Sequence, residues 1–145
     1  RDCLLRGCEL SSARLSGSYF SRCILQGCKG LGADLSRSKL TNTALRDCVL
    51  RAVNWDGASL EKLVLRDCDL SESWLTECRL KQLALEDCTL TQTNFFRTPL
   101  AGMDFTRCRL SGLVCTENGA ELKGAIVTPE QAVELARLLG LIIRP

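Results

Sequence analysis

The sequence predicts an all-β solenoid, because its hydrophobic residues follow a period that neither a helix nor a flat strand has. A large apolar residue stands at every fifth position within 66–90, from Leu70 to Leu90. Helices repeat an apolar face about every 3.6 residues and strands about every two. A period of five therefore requires a chain that turns a corner once in each repeat. Repeats this short cannot each bury a core, so they must stack on one another.

The five-residue period extends along most of the chain. Counted in fives from Leu5 to Cys115, every position is apolar except Gly30. The position two residues earlier is usually small or a cysteine, and the position after the apolar residue is often serine or threonine. This composition predicts one ordered solenoid domain over residues 1–127.

The runs Ala33-Asp34-Leu35-Ser36 and Cys68-Asp69-Leu70-Ser71 resemble the repeat of the pentapeptide-repeat family. The resemblance covers roughly residues 1–127, and the pattern recurs more than twenty times. It implies a right-handed, four-sided (quadrilateral) parallel β-helix of about six coils, in which four pentapeptides form one coil of about twenty residues.

The cysteines give an independent reason to expect coils of twenty residues. Residues twenty apart should stack in one column, and six of the ten cysteines have that spacing. This structural thiol column is Cys8, Cys28, Cys48, Cys68, Cys88 and Cys108. Their Cβ bonds should point inward in parallel, so we expect reduced, buried small side chains and not disulfides. A string of metal ions and a redox ladder are the alternatives, although no C-x-x-C pair and no histidine is present to favour zinc.

Two positions are expected to disturb the regular coils. Gly30 leaves its column without a side chain, and Leu31 should turn inward to fill the space. The alternative is a bulge that bends the tube and presents a partner surface. Pro99 should remove a hydrogen-bond donor between coils and interrupt the sheet locally.

The period changes near the C-terminus. After Cys115 the register slips by two residues, and Asn118-Gly119 should form a small turn that absorbs the slip. Residues 128–145 are then predicted to be a capping helix and tail. Thr128 suits the N-cap, and the features that support it are Pro129 at the first helical position, Gln131 completing a capping box, and Gly140 as a stop after about Leu139.

The helix is too apolar to be half exposed, so we expect two of its sides to pack against other apolar surfaces. One side should cover the open end of the solenoid, whose last coil would otherwise expose its core and strand edge. The other side should pack on a second copy about a two-fold axis, and a monomeric cap is the alternative. The predicted homodimer interface is Val133, Leu135, Ala136, Leu138, Leu139, Leu141, Ile142 and Ile143.

Outward positions of the predicted coils define two further surfaces. An aliphatic strip, proposed as a partner surface, consists of Leu4, Ile24, Ala44, Val64 and Ala84. Small and β-branched residues also suit a sheet surface, which is the alternative explanation. A second face is basic, with Arg22, Lys39, Lys62, Arg79 and Lys81 against Glu61.

Composition excludes several classes of function. The net charge of +2 is too small for a nucleic-acid binder, and no apolar run is long enough to span a membrane. No arrangement of a nucleophile and a base, no phosphate-binding loop and no histidine suggests catalysis. We therefore expect a cytoplasmic, non-enzymatic protein without cofactor or metal. The chain begins at Arg1 already in register, so its natural start is expected to be missing.

The helix of Thr128–Leu139 followed by Gly140-Leu141 is similar to that of the quinolone-resistance (Qnr-type) branch of the family and its mycobacterial relative. That resemblance implies a dimeric rod that interacts with DNA gyrase or topoisomerase IV, in part by imitating DNA. A DNA mimic should carry an acidic stripe, whereas the charges counted face by face are mixed. The alternative is a structural protein–protein interaction scaffold without a topoisomerase role.

Overall fold

In the computed structural model, which describes all of residues 1–145, the chain winds into a solenoid of parallel strands. The elements are β1 (Leu4–Arg6), β2 (Tyr19–Ser21), β3 (Ile24–Gln26), β4 (Lys39–Arg46), β5 (Ser59–Arg66), β6 (Arg79–Glu86), β7 (Cys88–Thr89), β8 (Cys108–Arg109), a 3₁₀ turn (Ala120–Leu122) and α1 (Pro129–Leu138). Leu5 pairs with Leu25 and Leu25 with Leu45 in parallel register. This spacing confirms the coil of twenty residues.

A corner occurs at every fifth residue. Each of the residues at intervals of five from Asp2 to Gly102 has a positive φ, and fifteen of these corner residues are not glycine. Left-handed backbone is unfavourable for a residue with a Cβ atom, so the stacked coils must stabilise it. Four such corners per circuit give the tube its four faces.

Hydrogen bonds join each coil to the next inside the wall. Ser73 shows the arrangement, because its hydroxyl donates to the Leu50 carbonyl at 2.9 Å and accepts from the Val53 N–H at 3.2 Å. Cys48 and Cys68 occupy the equivalent position and direct their thiols to carbonyls of the preceding coil at 3.4 and 3.3 Å. The small residues two positions before each apolar residue therefore also connect neighbouring coils.

The predicted role of Leu31 is wrong. Its side chain is 55% exposed, and the space above Gly30 is occupied by Leu50 instead. A Cβ atom on Gly30 would lie 2.9 Å from Leu50 Cδ2. The alternative of a bulge is also wrong, because the backbone bonds continue through this coil, with the Gly30 N–H donating to the Val49 carbonyl at 2.8 Å. The side chain of the next coil fills the vacancy without any change in the backbone.

The main sheet ends at β6. Its strands follow the order β1-β3-β4-β5-β6, with β2 also paired to β4, and no strand follows β6 on these two faces. Pro99 occupies the position where Ser59 and Arg79 donate their N–H groups to the preceding coil at 2.9 and 3.0 Å. The expected interruption at Pro99 is therefore present.

The register slip falls where the sequence places it. Asp104 pairs with Ile126, a separation of 22 residues, and the Gly119 N–H donates to the Thr116 carbonyl at 2.9 Å to close a turn. Glu121 replaces the missing backbone acceptor, because its buried carboxylate accepts from the N–H groups of Arg97 and Thr116, each at 2.9 Å. One charged side chain thus bridges the break in the repeat.

Glu121 should make the stability of this region dependent on pH. Burial raises the pKa of its carboxyl, but hydrogen bonds from Thr116 and the Arg97 N–H outweigh burial, and the pKa lies below its ordinary value. A lowered pKa means that the stabilisation is present above the ordinary value and is lost as pH falls through the lower folded value. We expect Glu121→Gln to reduce the free energy of unfolding by about 1–3 kcal/mol at pH 7. The difference from the unmodified protein, measured by urea unfolding, should shrink at pH 3; an unchanged difference would contradict this role.

The C-terminal helix begins and ends as predicted. Thr128 caps α1 in a capping box with Gln131, and Gly140 has a φ of 81° after the last turn. The Gln131 side chain also donates to the carbonyls of Phe105 and Cys108 at 2.7 and 2.8 Å. These bonds fix α1 across the last coil, where the Leu135 side chain enters the core.

Candidate interaction surfaces

The aliphatic strip lies on the flat outer surface of the main sheet. Ile24 pairs with Ala44 in register, as does Val64 with Ala84, so these side chains form one row along the tube. Leu4, Ile24, Val64 and Ala84 are exposed, and Ala44 is half-buried. Neighbouring coils are about 4.8 Å apart, so the row is continuous over nearly 20 Å. The arrangement can offer an apolar contact to another macromolecule.

An acidic row lies at the next corner, separated from this strip by the exposed Arg46 and Arg66. Asp47, Asp67 and Asp87 occupy equivalent corners of successive coils and are exposed. Asp87 forms an ion pair with Arg107 at 2.8 Å, whereas Asp47 and Asp67 have no ion pair. Their spacing of twenty residues in the sequence places them in one row at this corner. The mixed charge expected from the sequence therefore includes one short acidic row.

The basic face is partly neutralised. Arg22 pairs with Asp2 at 2.9 Å, and Lys81 lies 3.9 Å from Glu61. The Lys39 ammonium group lies over the Tyr19 ring, 5.9 Å from its centre. Exposed pairs of this kind contribute little to stability. A cation–π contact leaves the ammonium charge in place, so the face remains basic through Lys39, Lys62 and Arg79.

The C-terminus carries a second apolar surface. Within the predicted dimer interface, Leu135 is buried in the core of its own chain and is not available to a partner, and Ala136 is half-buried. Six of the predicted residues are exposed, namely Val133, Leu138, Leu139, Leu141, Ile142 and Ile143. Ile142 is 84% exposed, which is unusual for an isoleucine. These six residues are called the C-terminal apolar surface below.

Sequence reasoning missed one further exposed group. Trp74, Phe96 and Val114 are exposed on the C-terminal half of another face, with Arg97 over the Phe96 ring at 5.0 Å. Trp74 and Val114 precede a central apolar residue, just as the members of the aliphatic strip do. The same positional rule could therefore have identified them.

The structural thiol column lies inside the tube, and all ten cysteines are free thiols. Cys28, Cys48, Cys68, Cys88 and Cys108 are buried, and Cys8 in the first coil is half-buried. Cys78 lies on another wall, where burial raises the pKa of its thiol to about 11. A thiol with such a pKa stays protonated at neutral pH and is a poor nucleophile. No three potential metal ligands among His, Cys, Asp and Glu lie close enough to hold an ion.

Comparison with known families agrees with this architecture. A family model described as a pentapeptide repeat region matches residues 1–74. The chain belongs to the pentapeptide-repeat family. No curated protein matches this pentapeptide-repeat chain. α1 has ten residues, and no helix is both long and apolar enough to cross a membrane.

Solved structures of other pentapeptide-repeat proteins are similar at low sequence identity. QnrB1, a plasmid-mediated fluoroquinolone resistance protein, is 16% identical over 96% of this chain and 98% of its own, with a TM-score of 0.39. Rfr23 from the cyanobacterium Cyanothece 51142 is 17% identical over 86% of this chain and 91% of its own, with a TM-score of 0.47. HetL from Nostoc sp. strain PCC 7120, involved in heterocyst differentiation regulation, is 21% identical over 87% of this chain and 60% of its own, with a TM-score of 0.38.

Proposed function

We propose that this pentapeptide-repeat chain is a non-enzymatic docking protein that binds another protein through its aliphatic strip. The observation that carries the proposal is the continuous row from Leu4 to Ala84, exposed on a flat sheet where polar residues would be expected. A contiguous apolar strip on an exposed sheet surface is a candidate for a protein contact. The acidic row beside it would orient a partner by charge.

A homodimer formed through the C-terminal apolar surface is the second part of the proposal. Its six exposed hydrophobic residues all lie within the eleven residues 133–143. Pairing about a two-fold axis would place the same surface of two copies against each other. We expect Ile142→Glu to convert a dimer into a monomer in analytical ultracentrifugation, whereas Arg144→Glu, also in the tail, should have little effect. A monomer at all concentrations before any substitution would contradict the dimer.

A type II topoisomerase, DNA gyrase in particular, is the candidate partner. The carboxylates of Asp47 and Asp67, which have no ion pair, support it, because a protein that competes with DNA should present carboxylates in place of phosphates. The purified protein should then change gyrase supercoiling, or its inhibition by a quinolone, at micromolar concentration. The double variant Asp47→Asn with Asp67→Asn should weaken this effect.

The aliphatic strip is tested in the same assay. We expect the double variant Ile24→Lys with Val64→Lys to lose at least about tenfold in potency, since each substitution places a charge in an apolar contact. Trp74→Lys with Val114→Lys is the matched control, because both side chains are apolar, exposed and forty residues apart on a face away from the strip and the acidic row. Equal losses in both variants would contradict docking through the strip. Absence of any effect of the unmodified protein on gyrase would reject the topoisomerase and leave the scaffold function.

A further inference from the structure

The aliphatic strip alternates between large and small side chains along the tube. Ile24 and Val64 are 36% and 40% exposed, whereas the side chains of Ala44 and Ala84 end at the Cβ atom. Ala44 pairs with Ile24 on one side and with Val64 on the other, and Val64 pairs in turn with Ala84. Each alanine therefore leaves a shallow depression next to the Val64 side chain. These two depressions are called the alanine notches below.

The distance between the alanine notches distinguishes the regular conformations that a partner segment could have. The notches are two coils apart, which is about 9.6 Å. One turn of a polyproline II (PPII) helix has three residues and advances about 9.3 Å. Residues on one face of an extended strand are about 6.6 Å apart, and two turns of an α-helix advance about 10.8 Å. A PPII segment lying along the tube fits both notches best, through residues i and i+3.

The corner beside the strip provides hydrogen-bond donors along the same line. Asn42, Lys62 and Gln82 occupy this corner in successive coils, and all three side chains are exposed. Neither amide forms a hydrogen bond within the protein, and Lys62 has no ion pair. Asn42 lies two residues before Ala44, and Gln82 two residues before Ala84. Each notch therefore has an amide beside it that can donate an N–H to a segment on the strip.

Proline-rich chains have the acceptors that these donors need. A PPII segment has no internal hydrogen bonds, so its carbonyl groups are free to accept, and proline has no N–H that would need a partner. In a partner helix the carbonyl groups would already be bonded within the helix. The nearest carboxylates do not compete for the donors, because Glu61 lies 3.9 Å from Lys81 and Glu86 is paired with Arg66 at 2.8 Å.

We propose that the aliphatic strip binds a proline-rich segment of the partner protein, in the PPII conformation and parallel to the axis of the tube. This inference rests on the function proposed above for the strip and names the class of segment that it binds. Two prolines three residues apart occupy the alanine notches, and carbonyl groups of the segment accept from Asn42 and Gln82. A preformed PPII segment loses little conformational entropy on binding, which favours its recognition by a shallow apolar surface.

A fluorescein-labelled peptide of about nine L-prolines, or three turns of PPII, is the direct probe. We expect saturable binding to the intact protein by fluorescence anisotropy, with a Kd below about 1 mM. The peptide of D-prolines has the same composition and forms the mirror-image helix, so it should bind at least about tenfold more weakly. The measurement contains no gyrase and does not depend on the identity of the partner protein.

Filling the alanine notches should exclude the segment. We expect Ala44→Leu with Ala84→Leu to weaken binding of the L-proline peptide at least about tenfold. The fold should tolerate the change, because Leu4 and Ile24 hold equivalent positions of the same row. Val64→Leu is the control, since it enlarges a position that is already large, and it should change the affinity less than about threefold.

A second pair of variants tests the donors. Gln82→Glu replaces the amide N–H groups by a carboxylate oxygen of similar shape, so we expect the affinity to fall by about fivefold or more. Gln92→Glu makes the same change at another exposed corner with positive φ, away from the strip, and should have no effect. Glu72 and Glu77 already occupy such corners, which shows that glutamate is compatible with the fold. Circular dichroism verifies that each variant is folded.

Four results would overturn the proposal. The first is the absence of saturable binding of the L-proline peptide. If Ile24→Lys with Val64→Lys still weakens the effect on gyrase in that case, docking through the strip stands and only the PPII segment is rejected. The second and third are equal binding of the two mirror-image peptides and an unchanged affinity after the notches are filled. The fourth is self-association that Ala44→Leu with Ala84→Leu abolishes, because a second copy would then cover the strip.

Discussion

Replacement of Phe95 by alanine is expected to lower the free energy of unfolding by about 3–5 kcal/mol. The Phe95 ring is 2% exposed and meets the Phe105 ring edge to face, with ring centres 6.2 Å apart and planes at 69°. Removal of the ring takes away its hydrophobic transfer energy, leaves a cavity and ends the aromatic contact. The loss should be measured by urea unfolding with the fluorescence of Trp55 and Trp74 as the signal.

The adjacent residue supplies the control. Phe96 is 39% exposed and contacts Arg97 from outside the tube. We expect Phe96→Ala to cost less than about 1 kcal/mol, because the ring already meets water and loses one exposed cation–π contact. Similar losses for the two neighbouring phenylalanines would contradict the assignment of inward and outward positions in this coil.

Replacement of Gln131 by alanine is expected to reduce stability by about 2–4 kcal/mol, the second large effect. Its amide accepts from the Thr128 N–H at 2.9 Å and donates to two carbonyls of the last coil, at Phe105 and Cys108. The variant would leave these polar groups without their partners and loosen α1 from the solenoid. Hydrogen exchange of amides in residues 129–138, together with urea unfolding, would measure the change.

Two variants separate the contributions of Gln131. Gln131→Glu retains the acceptor of the capping box but has no N–H to donate to the last coil, so we expect nearly the full loss. Glu134→Ala removes an exposed side chain whose ion pair with Arg137 spans 3.4 Å, and it should change stability by less than about 0.5 kcal/mol. An unaltered stability of Gln131→Glu would show that the bonds to the last coil have no stabilising effect.

The period of five and the spacing of twenty were sufficient to predict the coils, because residues twenty apart in the sequence contact each other when coils of that length stack. The capping helix was also predictable, since Thr128 and Gln131 act within one turn. The end of the main sheet at β6 was predictable only in part. Pro99 indicates one missing donor, but the absence of all backbone bonds between β6 and residues 98–107 depends on how residues 99–106 follow the displaced cap.

Other features depend on contacts between side chains of neighbouring coils. The sequence alone does not show which of several possible contacts is the most stable. The space beside Gly30 could be filled by Leu31, its neighbour in the sequence, or by Leu50 of the next coil. In the structure Leu50 fills it. Ser73 and Cys48 were expected only to be small, whereas their hydrogen bonds to the preceding coil require the three-dimensional register.

Before the slip after Cys115, the separation of twenty residues between bonded positions sets the unit by which such a protein can change its length. Loss of residues 49–68 would join Cys48 to Asp69, and each remaining residue would still stack on a residue from the equivalent position of the neighbouring coil. The rod would shorten by about 4.8 Å. A deletion of nineteen or twenty-one residues would instead turn inward side chains toward water in every later coil. Duplication and loss of whole circuits is therefore the route by which the reach of this rod could be adjusted while its ends stay unchanged.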